Sequence, residues 1–263
     1  MRRIVLLVVT CALFGAASAI AASGSDGSRP APHTVLTEVS SVPASTFDAV
    51  GLGRVQKNNL TLTRLSGPAP GTGGAKRVIL AAIAEWCPHC VANSWVLALA
   101  LERFGTLTGL RTINSGTYYG KHGSSPAFSN THGLSFIDAS YSSQYFIFKP
   151  VIRFAKDGAP LEHETKAEKR TLRSFHALGS FPALDLGGAI GLTGLGFSPG
   201  ILHGLTPAQI ASQLANPSSA VAPYIDGEAN LLTAALCVAT AQQPTATCGS
   251  TGVTAAAAAL PRG

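Results

Sequence analysis

Apolar and polar positions alternate along this chain in runs short enough to assign. Val78-Ile79-Leu80-Ala81-Ala82-Ile83 is continuously apolar, with the length and β-branched content of a buried central strand. From Val91 to Phe104 only Asn93, Ser94, Glu102 and Arg103 are polar. This predicts a helix apolar nearly all round and therefore placed in the core, with Gly105 as its C-terminal cap. Asn59-Leu60-Thr61-Leu62-Thr63 alternates like a strand, and Leu110 to Ile113, Leu134 to Ile137 and Tyr145 to Phe148 are further strands, the last two read as a pair. Lys166 to Leu178 predicts a polar helix whose apolar side is Leu172, Phe175 and Leu178. Asp185 and Gly187-Gly188 read as a strand end and turn leading into Ala189 to Leu192, a hairpin. Thr206-Pro207 carries the cap and first residue of a helix, and Ile225, Ala229, Leu232 and Leu236 line one side of a last one.

Other stretches show no such period. Ala22 to Pro32 is rich in Ser, Gly and Pro and reads as a flexible tether. Val35 to Gly53 is a leading arm with a short helix over Thr46 to Val50, and Gly67 to Gly74 is a turn. Ser115 to Gly133 is a long loop whose Tyr118, Tyr119, His122 and His132 suggest a peptide-binding surface or local anchors. Ala255 to Ala259 belongs to a low-complexity tail.

The first residues read as an export signal: Met1-Arg2-Arg3, an apolar core from Ile4 to Phe14, and small residues for cleavage after Ala19 or Ala21. An uncleaved membrane anchor over Ile4 to Ala22 is the alternative. The expected location is thus extracytoplasmic, in the cell envelope or secreted, with anchoring through this segment as the second form. With 263 residues and 46% hydrophobic content there is ample material for one core. The formal charge of +6 falls to +4 when Arg2 and Arg3 leave with the leading segment, and no block of Lys and Arg interleaved with aromatics stands out, so nucleic acid is excluded as a partner class. The densest basic run, Lys166 to Arg173, contains Glu168 and reads as a solvated helix face.

The chemistry concentrates in Ala84-Glu85-Trp86-Cys87-Pro88-His89-Cys90, between the central strand and the core helix. A helix N-terminus presents unpaired N–H groups and about half a positive charge, which favours a thiolate. The thiolate is the nucleophile in disulfide exchange, and Cys-x-x-Cys pairs at such positions have thiols well below the free value of about 8.5. Pro88 pre-sets the first helical turn, and His89 can direct a hydrogen bond or a positive charge at the Cys87 sulfur. Both stabilise the reduced state, which makes the disulfide the stronger oxidant. A structural disulfide and a metal half-site are the alternatives for this pair. Haem attachment is excluded by Val91, where that motif needs His. Export would leave four cysteines, and proximity in sequence pairs Cys87 with Cys90 and Cys237 with Cys248. The second pair reads as a structural clip worth about 2–3 kcal/mol in the chain-entropy account, or else as a second redox pair.

Ala-Glu-Trp-Cys resembles the approach to the thioredoxin site, and Cys-Pro-His-Cys resembles the motif of DsbA-type disulfide oxidases. More of the chain is similar to a prokaryotic thioredoxin-like family catalogued as domain of unknown function nine-two-nine. The resemblance runs through Val42-Pro43 to Val50-Gly51, the cysteine stretch to Arg103-Phe104-Gly105, Phe181 to Gly188, and Ile210 to Cys248. It implies an α/β, thioredoxin-like fold: a central mixed β-sheet flanked by helices, with an N-terminal extension and a C-terminal helical segment. The divisions expected are a signal or anchor over residues 1–21, a flexible linker over 22–34, the thioredoxin-like domain over 35–248 and a low-complexity tail over 249–263. It also implies a cis-proline at Pro182, opening the strand that faces the dithiol. Such a site leaves the Phe181 backbone free to pair with an extended substrate. Thioredoxins and DsbA-type oxidases carry a buried acid six residues before the first cysteine, and that position here is Ala81. Glu85 either substitutes as a proton relay or, the reading favoured, lies at the surface.

The function expected is therefore an exported thiol-disulfide oxidoreductase, oxidase more than reductase, acting on cysteines of other exported proteins. Cys87 attacks, Cys90 resolves, Pro88 and His89 set the thiolate stability, Trp86 shields the site, and Phe181 and Pro182 present substrate backbone. No dissociable cofactor and no metal are implied. A redox partner is, either a membrane quinone-linked oxidase or a reducing transporter. The alternatives are a non-catalytic binding module with both pairs locked as disulfides, and metal trafficking through Cys87, Cys90 and a histidine.

Overall fold

A computed structural model describes residues 27–67, 76–116 and 128–262. The signal or anchor reading of 1–21, residues 22–26, most of the 67–74 turn, and Tyr118, Tyr119 and His122 lie outside the described residues. In chain order the elements are β1 (Arg29–Pro30), α1 (His33–Ser40), α2 (Ala44–Val50), β2 (Leu60–Arg64), β3 (Arg77–Ala84), α3 (Pro88–Glu102), β4 (Gly105–Thr108), β5 (Arg111–Asn114), β6 (His132–Ser135), β7 (Ser140–Ser143) and β8 (Phe146–Phe154). There follow α4 (Lys166–Ser174), β9 (Ala183–Leu186), β10 (Ile190–Gly194), α5 (Pro207–Leu214), α6 (Ala222–Ala239), α7 (Thr245–Cys248) and α8 (Thr251–Ala257).

The architecture is mixed α/β. Five strands form the central sheet in the order β2-β10-β9-β3-β8. β3 runs parallel to β8 and antiparallel to β9, and the β9–β10 hairpin continues antiparallel to β2. The alternation of strand side chains sorts them onto two faces. Ile79, Ala81, Ile83, Leu184, Leu186, Ile190 and Leu192 face a large core shared with α3, α5 and α6, whereas Leu80, Ala82, Val151 and Ala183 face Leu172 and Phe175 of α4 and its exit. β3 occupies an inner position in the sheet, and its last six residues are buried on both faces, as its unbroken apolar run predicts.

α3 is apolar nearly all round because it is enclosed on every side. It packs on α6 and on β6. The contact with β6 is backbone-close: a Cβ at Gly133 would collide with the Val91 carbonyl oxygen. Ser94 Oγ donates to the Val91 carbonyl at 2.6 Å and accepts from Leu134 N at 2.7 Å, and Trp95 Nε1 donates to the His132 carbonyl at 2.9 Å. These bonds fix the first half of α3, and with it the dithiol, against the neighbouring small sheet.

Several expectations need correcting. Gly105 does not cap α3; Arg103 does, and Gly105 opens β4. The strands around Leu134 and Phe146 do not pair: β6 joins β5 and β1 in a separate sheet, and β8 joins β3. β8 continues to Phe154 through Pro150, which is tolerated because β8 is an edge strand of the central sheet. α4 ends at Ser174, since His176 adopts a left-handed φ of 59° and Ala177 N bonds back to the Leu172 carbonyl at 2.8 Å. Leu172 and Phe175 are buried as predicted, but Leu178, beyond that break, is exposed.

Both ends of the described chain belong to the fold. In the expected linker over 22–34, Arg29–Pro30 pairs with β5 and His33 starts α1. Arg111 holds this strand by donating from Nε to Ser28 Oγ at 2.7 Å and from Nη2 to the Ser28 carbonyl at 3.1 Å. The alanine-rich tail over 249–263 folds as α8, with Val253 and Ala256 buried against α6. Cys237 and Cys248 are bridged, joining the end of α6 to α7.

α6 also departs from a one-sided helix. Asp226, Glu228, Asn230 and Thr233 are fully buried on it. Asn230 donates to the carbonyls of Phe47 and Gly51 at 2.8 and 2.7 Å and accepts from Arg103 at 2.7 Å. The Arg103 guanidinium lies over the Phe47 ring, near enough to Asp48 and Asp226 for their carboxyls to act on its charge when ionised. This polar seam knits α2, α3, α6 and α8 together.

Candidate functional site

The candidate site begins where β3 leaves the sheet. Cys87 N donates to the Ala84 carbonyl at 3.0 Å, making a tight turn, and Cys87 with φ −83° and ψ 118° is the N-cap of α3. Pro88 follows at the first helical position, where its missing N–H costs nothing. The extended backbone at the cap and the proline after it set the direction of the helix, and Val91 N closes the first turn on the Cys87 carbonyl at 3.0 Å. Cys87 and Cys90 thus share one turn as free thiols, with His89 between them.

Their environments differ. Cys87 is 7% exposed and Cys90 1%. The Cys87 thiol is held well below the ordinary cysteine range, chiefly by a hydrogen bond from the Cys90 side chain. Burial opposes this, and a hydrogen bond from His89, the Cys90 N–H and the His89 charge lower it further. Cys90 is pushed well above that range, first by burial, then by its hydrogen bond to Cys87 and the Cys87 charge, with Glu85 adding repulsion. Ala84 N donates to the Cys90 sulfur at 3.5 Å and acts in the other direction. The proton shared by the pair is therefore favoured on Cys90 over Cys87.

Glu85 is not at the surface. It is 2% exposed, and Glu85 N is tied to the Phe154 carbonyl at 2.9 Å. Its burial follows from its place: the chain leaves β3 inside the core, and the residue after Ala84 has not yet reached solvent. Ala81 is fully buried in the sheet interior, so Glu85 is the acid whose charge reaches Cys90.

Phe181 and Pro182 are joined by a cis peptide bond and lead into β9. The Phe181 carbonyl lies 4.0 Å from the Cys87 sulfur. The structure thus brings Phe181 to the dithiol across a long sequence separation, as the resemblance implied. The Phe181 ring packs edge-on against Phe154, with centroids 5.9 Å apart. Trp86 is half-buried and packs on the main core. The Cys237–Cys248 bridge ties α6 to α7.

A cleft of about 480 Å³ opens beside this group, lined by Asn59, His89, Phe128, Phe181, Leu195, Phe197 and neighbouring backbone. Sequence reading missed this wall. Its signal was the run Leu195-Gly196-Phe197-Ser198-Pro199, which has neither helix nor strand period. The run is anchored from below by Glu228, whose Oε2 accepts from Gly196 N at 2.8 Å, and by Gln56 N, which donates to the Gly196 carbonyl at 2.6 Å. Asn59 and half-buried His89 face the rings of Phe128, Phe181 and Phe197, which makes a cleft of mixed polarity beside the turn that carries the two thiols.

Residues 70–175 match the model of a family described as Domain of unknown function (DUF929). The match spans β3, the dithiol, α3 and the strands up to α4, and stops before Phe181. No curated protein and no solved structure matches the chain.

Proposed function

We propose that the protein is an extracytoplasmic thiol-disulfide oxidoreductase with a thioredoxin-like arrangement of sheet and helices, working through Cys87 and Cys90. The observation that carries this reading is the placement of two free thiols in one turn at the start of α3, with Cys87 at the N-cap, the Phe181 carbonyl 4.0 Å from its sulfur, and the Cys87 thiol lowered while Cys90 is raised. A structural pair has no need of that asymmetry; an exchange site does.

In the oxidising direction, a substrate thiolate attacks the Cys87 sulfur of the Cys87–Cys90 disulfide. A mixed disulfide forms, and Cys90 leaves with the electron pair and takes a proton. The second substrate thiolate then attacks the substrate sulfur of the mixed disulfide and releases the Cys87 thiolate. The substrate leaves as a disulfide, and two electrons and one net proton stay on the pair. In the reducing direction the steps reverse, and Cys90 must lose its proton before it attacks. Glu85, buried and felt by Cys90, is the acid we assign to that proton, and the Phe181 carbonyl is the backbone acceptor offered to an extended substrate.

Stabilising the Cys87 thiolate stabilises the reduced form, so the disulfide is the better oxidant. The substrates are cysteines of other exported proteins, with the residues flanking the cysteine entering the cleft. A membrane redox partner, quinone-linked oxidase or reducing transporter, returns the electrons. Metal trafficking has less support, because among the described residues no three His, Cys, Asp or Glu side chains are grouped to hold an ion.

Equilibration with glutathione tests the proposal, using Cys237→Ser/Cys248→Ser to isolate the first pair. The expected potential lies towards about −120 mV, the oxidase end, and away from about −270 mV, the thioredoxin end. His89→Ala removes a hydrogen bond and a charge from the thiolate and should make the potential more negative by roughly 30 mV or more, about 1.4 kcal/mol. A potential below about −300 mV would make the pair structural.

A further inference from the structure

A second cleft, of about 310 Å³, lies where the small sheet, the turn after β8 and the start of α5 meet; Arg29, Asn114, His132, Lys156 and Pro207 line it, with Gly27 and the β5 backbone. No acid is among its lining residues. Three of the chain's basic side chains converge on it, and among the described residues neither Arg29 nor Lys156 makes an ion pair with a carboxylate. Asp157, next to Lys156 in the chain, is turned away to accept from Ala159 N at 2.9 Å.

Lys156 is held in place. It sits in a turn closed by Gly158 N on the Ala155 carbonyl at 3.0 Å, and its stem lies across Gly27 where a Cβ would obstruct it. Its ammonium donates to Asn114 Oδ1 at 2.9 Å, and Asn114 Nδ2 in turn donates to Asn130 Oδ1 at 2.9 Å. A lysine normally loses considerable rotamer freedom when it grips a ligand, and here that ordering is already present. An ammonium has three donors, and Asn114 uses one.

His132 stands close enough to feel this charge. Burial first, and then Lys156, lower its affinity for a proton, so it offers a neutral ring to the cleft at pH 7. Arg29, on exposed β1, brings a planar fork that suits oxyanions bidentately. Pro207, the first residue of eight-residue α5, places the positive end of that helix on the same wall. Lys156, Arg29 and the helix end repel one another, and an anion with several oxygens relieves all three at once.

We propose that this cleft is an anion site for a phosphate-type oxyanion, bound by Lys156 and Arg29 with His132 as a third donor and Asn114 as the residue that positions Lys156. Donors of three kinds around one small cleft fit a tetrahedral group with three free oxygens better than a carboxylate with two. The group is either free phosphate or the phosphate of an anionic lipid headgroup. The site does not depend on the redox reading.

Inorganic phosphate titrated into the full chain at constant ionic strength tests the site, followed by calorimetry and by the His132 ring resonances in NMR. The wild-type chain is expected to bind saturably, with the His132 pKa rising on binding. Lys156→Gln and Arg29→Gln should each weaken binding by about tenfold, and Lys166→Gln, on α4, should leave it unchanged. Vesicles of phosphatidylglycerol and of phosphatidylcholine separate the sources. Retention on the first alone, lost in Lys156→Gln and competed by phosphate, assigns a headgroup; phosphate binding without vesicle retention assigns the free ion. Equal phosphate affinity in wild type, Lys156→Gln and Arg29→Gln, or a His132 resonance that does not move, would overturn the site.

Discussion

Cys90→Ser is expected to turn the protein into a trap, accumulating mixed disulfides with disulfide-containing substrates, one substrate sulfur leaving as thiolate, at least about tenfold above Cys87→Ser. Cys87 is the more exposed sulfur, caps α3 and is stabilised as thiolate, so it forms the first covalent bond. Once Cys90 is gone, nothing in the same turn can attack the adduct, and its lifetime rises. Serine keeps a hydroxyl that can donate to Cys87 and so preserves part of the thiolate stabilisation, whose largest source is the Cys90 side chain. Cys90→Ala lacks that donor, and its Cys87 should titrate at higher pH than in Cys90→Ser, as read from thiolate absorbance. Intact-mass analysis after incubation with a disulfide peptide reports the trapping. Equal adduct in Cys87→Ser would reverse the roles of the two sulfurs.

The second large effect concerns stability. Burial raises Asp226 from 3.8 to about 8, with the Arg103 charge opposing, and raises Glu228 from 4.5 to about 8, with the Gly196 N–H opposing. Between the unfolded and folded values the native state holds two protons that the unfolded chain releases. Stability is therefore full below about pH 4 and falls as pH rises towards 8, by about 1.4 kcal/mol per pH unit for each group. Asp185, raised to about 6 by burial, adds the same sign over the lower part of that window. Urea unfolding of the Cys87–Cys90 disulfide form, which removes the thiols from the balance, should show several kcal/mol more stability at pH 5 than at pH 8. Asp226→Asn/Glu228→Gln should flatten most of that slope, since glutamine still accepts from Gly196 N. An unchanged slope in the double variant would show that these carboxyls are not the source.

What the sequence disclosed was local. The strand Arg77–Ala84, the turn and the helix Pro88–Glu102 are contiguous, and their apolar pattern, the capping cysteine and Pro88 carry their conformation within a few residues. The hairpin of β9 and β10 and the capped start of α5 were legible for the same reason, with Gly187-Gly188 and Thr206-Pro207 as their signals. Strand partners were not legible, because nothing near Leu134 or Phe146 specifies that one joins β5 and the other β3. β8 also runs beyond Phe148 through Pro150, which the edge position of the strand allows.

Burial of charge was the harder reading. A lone Glu85 before a cysteine motif reads as solvated, and only the depth at which β3 ends places it inside. Asp226, Glu228 and Asn230 lie outside the apolar line of Ile225, Ala229, Leu232 and Leu236, yet all three are fully buried. Asn230 is met there by Arg103 and the backbone at Phe47 and Gly51, Glu228 by Gly196 N, and Asp226 lies within reach of the Arg103 charge. The alanine-rich tail carried too little pattern to show that small residues are what its contact with α6 requires, with Ala256 fully buried there.

Within the site, Cys87, Pro88, His89 and Cys90 were found by motif, and Phe181-Pro182 through resemblance to a family. Phe128, Leu195 and Phe197 could not be found either way. They line the cleft beside His89 from two places far apart in the chain, Leu195 and Phe197 just after β10 and Phe128 just before β6, which only the folded chain brings together.

The most direct test of the account is the rate of disulfide exchange between the protein and a peptide carrying one disulfide, in wild type and in Cys87→Ser. The account predicts a catalysed rate for the wild type that falls by about two orders of magnitude or more in Cys87→Ser, because the stabilised thiolate is the attacking group. A wild-type rate no faster than that of Cys87→Ser would contradict it, and would leave the dithiol as a feature of the fold without a part in chemistry.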